Sequence, residues 1–189
     1  MTHENYCSLL LFFIFDAFNY RYLDIYGIFL NERLGQYKVM TMQIHPEVRK
    51  LIMEVLDTQR IAVLGTSKDD EPYSCLVAYV MTADLKELVF ATMRQRLKYR
   101  NIMANPRVTL IIDDRDKSDS DFTETTSITM VGTARDIHDG GREQYTSLLL
   151  NRHPLLDDFV NSPECAVISV IIDKMYVVSE FESVLKIGE

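Results

Sequence analysis

The chain has 189 residues, 47% hydrophobic and 25% charged, with a formal net charge of −8. That length and balance fit a single globular domain with a sizeable core. The acidic excess speaks against nucleic-acid binding, whose footprint is a broad basic surface.

Leu9 to Phe15 is continuously apolar, but Asp16 ends the run well short of the roughly 20 residues that span a bilayer. No basic leader and no small-residue cleavage site accompany it, so neither a membrane anchor nor a secretory signal is expected. Residues 1–42 are read as an N-terminal extension outside the native domain, because Met40 and Met42 stand immediately before the first domain-like element. The domain is read as residues 43–189.

His45-Pro46-Glu47 opens a helix, with Pro tolerated in the first turn and Glu favourable near the N-terminus. Val48, Leu51, Ile52, Val55 and Leu56 recur at helical spacing and predict one buried stripe, to about Asp57. Ile61 to Thr66 reads as a strand and Ser67 to Glu71 as a charged turn. Tyr73 to Met81 reads as a longer strand whose apolar density suggests burial on both faces. Thr82 to Glu87 turns back into a strand at Leu88 to Thr92. A basic helix, Gln95 to Ala104, should dock through Tyr99, Ile102 and Met103. Strand Arg107 to Ile112 precedes an acidic loop, Asp113 to Thr126, without periodicity. Ser127 to Ile137 is a strand in which Gly132 suggests a bulge or a close backbone approach. Asp139-Gly140-Gly141 leads into a helix that Arg152-His153-Pro154 interrupts, with a short helical piece to Val160. Cys165 to Ile172 and Met175 to Phe181 read as a hairpin turning at Asp173-Lys174. The class is therefore mainly β, with six or seven antiparallel strands and helices at the margins. A small closed or partly split barrel is the natural way to remove the sheet edges.

From Leu88 through Ile112 there is no acid, and Arg94, Arg96, Lys98 and Arg100 cluster where a strand gives way to a helix. Helix-start amides lack intrahelical partners, so such a junction is suited to an anion. By helical period the four cations form two pairs, Arg94 with Lys98 and Arg96 with Arg100, and cannot all face one ligand. A solvated cationic face is the plainer account of the charge taken alone.

The order Phe90-Ala91-Thr92, Lys98, Asn101-Ile102, Asn105-Pro106-Arg107-Val108 resembles the pyridoxamine 5'-phosphate oxidase-like family of FMN-binding split barrels. The likeness extends more loosely over Pro46 to Phe181, including Pro72-Tyr73-Ser74 and Val131-Gly132; residues 1–42 have no counterpart. The resemblance implies a split barrel forming a homodimer, with FMN in the cleft between subunits. It implies that Ala91, Thr92, Arg96, Leu97 and Lys98 lie at the phosphate, Lys98 as a point charge. It also implies that Ser74, Cys75, Leu76 and Val77 run along the isoalloxazine ring, and that Ser127 reaches the flavin. Departures accompany it. Cys75 and Leu97 stand where family oxidases place arginines, Val80 stands near a substrate-binding lysine, and the C-terminal Arg- and His-containing signature is missing. Pyridoxamine phosphate oxidation is therefore not the expected activity.

Cys7, Cys75 and Cys165 are odd in number and far apart, fitting neither a disulfide framework nor a zinc spacing, so a reducing cytoplasm is expected. His3, His45, His138 and His153 are equally scattered, and no metal is expected. His153, before Pro154, could reach a haem at a cleft, although a loop-stabilising role is the plainer reading. Two classes of function follow: an FMN-dependent oxidoreductase acting on an unidentified small molecule, or a non-enzymatic flavin or haem carrier on the same barrel. A deazaflavin in place of FMN is a third possibility. No side chain is assigned a catalytic role.

Overall fold

The computed structural model describes residues 44–115, 125–138, 140–179 and 183–188. The N-terminal extension and most of the expected acidic loop lie outside them. Helix α1 (Pro46–Thr58) precedes strands β1 (Ile61–Lys68), β2 (Glu71–Met81) and β3 (Glu87–Met93). Helix α2 (Leu97–Ala104) leads to β4 (Arg107–Asp113) and β5 (Ser127–Asp136). Helix α3 (Arg142–Arg152), a single 3-10 turn (Pro154–Leu156) and α4 (Asp157–Val160) follow. The chain then forms β6 (Cys165–Ser179) and β7 (Ser183–Gly188). Among the described residues no helix is long and apolar enough to cross a membrane.

The sheet order is β3-β2-β1-β4-β5-β6-β7, all antiparallel, and a β3–β6 pairing closes six strands into a barrel. Closure depends on the length of β6. Its first half pairs with β3 from Cys165 to Ile171, and its second half pairs with β7 from Lys174 to Ser179. The expected hairpin at Asp173-Lys174 does not exist; β6 runs through it. Opposite, Val131 pairs with Lys174 but Gly132 with Ile172, so Asp173 is the extra residue of a β-bulge. A polar Asp-Lys pair resembles a turn in sequence, yet here it bends a strand, and Asp173 is satisfied by Arg107. Gly132 is required at that bend, because a Cβ there would lie 2.3 Å from the Ile171 carbonyl oxygen. Strand β7 was not expected from the sequence.

Alternation sorts the side chains. Leu64, Tyr79, Leu88, Phe90, Leu110, Ile112, Ile128, Met130 and Ile168 fill the interior, which α1 covers with Ile52, Val55 and Leu56. Strand β3 is apolar on both faces because Val89 points outward into a second cluster with Val80, Val167, Leu149 and Val160 beneath α3 and α4. The β1–β2 hairpin turns on Asp69 and Asp70, both at positive φ (52° and 62°), as a two-residue primed turn demands. Strand β2 corrects one expectation: its outer face is covered only near Val80, and Leu76 is 64% exposed.

Helix α1 is anchored at its C-terminal end. Arg152 donates to the Leu56 and Gln59 carbonyls and lies over the Tyr79 ring, 5.5 Å from its centroid. The Tyr79 hydroxyl donates to the Gln59 carbonyl at 2.9 Å, and burial pushes its pKa up to about 12.

Candidate cofactor site at the barrel split

Strands β2 and β3 pair only over Tyr79–Met81 and Leu88–Phe90. Beyond Phe90, β3 stays with β6 as far as Met93, while β2 stays with β1 as far as Glu71. The two strands thus part, and among the described residues the edge of β2 from Ser74 to Val77 has no strand partner on that side. Helix α2 begins where they separate. Lys98 Nζ donates to the Leu76 carbonyl at 3.1 Å. Deeper in, Asn101 Nδ2 donates to Thr66 Oγ1 at 3.1 Å, and Asn105 Nδ2 to Ser67 Oγ at 3.0 Å. In an antiparallel strand the N–H and C=O of one residue point to the same side. The amide of Leu76 therefore faces the open edge along with its carbonyl.

The cations do not act as one group. Helix α2 starts at Leu97, with Arg96 at the N-cap in an extended conformation and no side-chain cap, so its first amides lack a side-chain acceptor. Arg96 and Arg100 are exposed, whereas Lys98 is half-buried. Arg94 precedes the helix and is committed elsewhere: it donates to the Pro163 and Cys165 carbonyls at 3.0 and 3.1 Å and pairs with Asp136 Oδ2 at 3.4 Å. Tyr99 Oη donates to the same carboxylate oxygen at 2.9 Å. Burial, then the bond to Asp136, raises the Tyr99 hydroxyl above the usual phenol range. Of the residues expected to dock α2, Ile102 is buried and Tyr99 half-buried, but Met103 is 47% exposed.

Of the residues singled out in the sequence, Ser74, Cys75, Leu76, Val77, Arg96, Leu97 and Lys98 come to this corner. Ser74 and Leu76 face outward; Cys75 and Val77 turn into the core. Thr92 is buried at the end of β3, whereas Ala91 packs against the second cluster. Ser127 lies apart, on the outer face of β5, with β1 and β4 between it and β2. Three strand spacings place it roughly 14 Å away. Val80, near the expected position of a substrate lysine, is buried in the second cluster. His153 Nε2 is 2.7 Å from the Tyr79 carbonyl oxygen, which is the loop-stabilising role. A cavity of about 270 Å³ opens beside Arg94, lined also by His138, Arg142 and Cys165, but neither Lys98 nor β2 borders it. Sequence reasoning missed Asp136, since the residues it holds are 37 and 42 positions away and no local pattern marks it.

A closed six-stranded barrel whose β2 and β3 part around a short helix is a split barrel. The family model for pyridoxamine 5'-phosphate oxidase matches residues 48–178, and the chain belongs to that oxidase-like family. No curated protein matches it. Among solved structures, a heme-binding protein from Mycobacterium smegmatis superposes with a TM-score of 0.68 at 14% identity, over 77% of this chain and 60% of that one. This chain thus spans about three fifths of that relative. The heme storage protein HutZ from Vibrio cholerae gives 0.60 at 13% identity, over 68% and 92%. A FAD-binding protein from Mesorhizobium loti gives 0.53 at 21% identity, over 67% and 89%. At these identities the likeness is one of fold.

Proposed function

We propose that this protein binds FMN and uses it as a redox group in an oxidoreductase acting on a small molecule. Lys98, Arg96 and the uncapped first amides of α2 would hold the phosphate. The backbone of Ser74 to Val77 would meet the polar edge of the ring. The observation that carries this reading is the convergence of Lys98, an uncapped helix start and an unpaired strand edge at one corner. A dianionic phosphate suits the first two, and a flat heterocycle with donors and acceptors on its rim suits the third. Bound FMN supplies electron transfer at its ring, and the chain binds and orients it.

Cys75 and Leu97, in place of arginines, leave the corner poor in cations for a second phosphate, so the substrate is not a vitamer phosphate. A homodimer completes the site. The outer face of β2, β1 and β4 exposes Leu76, Ile61 and Ile111, and a second copy could bring Ser127 to the flavin. Haem carriage is the second reading, supported by the names of two structural neighbours. Against it, His153 is already bonded through Nε2.

The visible spectrum of freshly purified protein, followed by addition of FMN and then NAD(P)H, tests the proposal. A flavin spectrum that bleaches with the reductant and recovers with an acceptor is expected. A Soret band would favour haem, stable flavin without turnover would favour a carrier, and a deazaflavin spectrum would replace the cofactor. Failure to bind FMN would end the reading.

A further inference from the structure

We infer that Asp136, at the end of β5, is a positioning residue that fixes the phosphate corner through Tyr99 and Arg94. This rests on the proposed FMN site and deepens it. The Asp136 side chain is 2% exposed, and its Oδ1 is buried without a hydrogen-bond partner among the described residues. Among the described residues its contacts fall on Oδ2: Tyr99 at 2.9 Å, Arg94 at 3.4 Å and the exposed His138 at 3.4 Å. A carboxylate buried with one oxygen unsatisfied costs the fold free energy. Such local violations gather where geometry is being held for a function.

What Asp136 holds is specific. Tyr99 is the third residue of α2 and follows Lys98 directly, so its bond fixes the turn that presents the ammonium. Arg94 sits in the β3–α2 turn, and its backbone amide also donates to the Glu164 carbonyl at 2.9 Å. One carboxylate thus holds both ends of the turn, and it keeps the Arg94 guanidinium on the β6 side. Among the described residues the other side-chain ties of α2, from Asn101 and its C-cap Asn105, act on its later turns. The first turn depends on Asp136 and on the Lys98 bond to Leu76.

A positioning role predicts a phosphate-selective defect, whereas a merely structural role weakens every ligand alike. Apo-protein of the full chain is titrated with FMN and with riboflavin, which lacks the phosphate, for the wild type, Asp136→Asn and Tyr99→Phe. Asp136→Asn should lose about tenfold in FMN affinity with riboflavin affinity within about twofold, and Tyr99→Phe should shift in the same sense by less. Equal losses for both flavins, or no loss in either variant, would overturn the inference. If circular dichroism shows Asp136→Asn unfolded, Tyr99→Phe decides, since it removes one hydroxyl and keeps the ion pair. A wild type that binds riboflavin as tightly as FMN would remove the phosphate site itself, and this inference with it.

Discussion

Lys98 occupies a carbonyl that would otherwise face the open edge of β2 unpaired. Its ammonium has three donors, so it can keep Leu76 and still serve an anion. Lys98→Ala should weaken FMN binding at least about tenfold, roughly 1.4 kcal/mol, by flavin fluorescence titration. Because that bond is exposed, thermal stability should change little. Unchanged FMN affinity would count against the phosphate assignment. This residue was legible from its spacing after Thr92 and before Asn105. Asp136 was not, because nothing near it in sequence says that a helix from far back in the chain will fold against it.

At the scale of elements, the ties between strands and helices lie in a few polar side chains. Glu87 of β3 accepts hydrogen bonds from Ser169 of β6 and, at 2.8 Å, from Tyr145 of α3, and pairs with Arg135 of β5 at 3.3 Å. Burial alone would raise its carboxyl, but the bonds from Ser169 and Tyr145 and the attraction of Arg135 outweigh that and hold it below its ordinary 4.5. A depressed folded value means Glu87 stabilises the fold above that ordinary value, and the contribution is lost as pH falls through the folded one. Glu87→Gln should therefore be less stable at neutral pH and show a flatter loss of stability as pH falls below that ordinary value, in urea titrations. Parallel acid limbs for variant and wild type would refute this account. The helices and most strands were legible at this scale because their periods differ. The bulge at Asp173 was not: a turn and a bulge use the same polar residues, and only the partner strand distinguishes them.

For the whole molecule, the outer face of β1, β2 and β4 carries the argument. Ile61 at 55% exposure, Leu76 at 64% and Ile111 at 41% cluster on adjacent strands, an apolar area that favours a protein partner over water. Pairing two such faces would form the proposed homodimer. Sedimentation velocity should then find about twice 21.9 kDa for the wild type, and the monomer for Ile61→Glu. The variant's flavin affinity should fall with dimerisation if Ser127 acts across the interface. A wild type that sediments as a monomer would exclude the dimer.

The chain's own pattern determined the barrel class, the order of its elements as far as the start of β6 and the corner where a phosphate could sit. Alternation, helical period and turn chemistry are local, and the fixed offsets around Lys98 lie within a single strand–helix–strand unit. The tertiary structure alone decided three things: that β6 is one bent strand closing the barrel, that β2 and β3 part to leave an edge open, and that Asp136 ties Tyr99 of α2 to Arg94 before it. Each depends on contacts between residues distant in the chain, which local spacing does not encode.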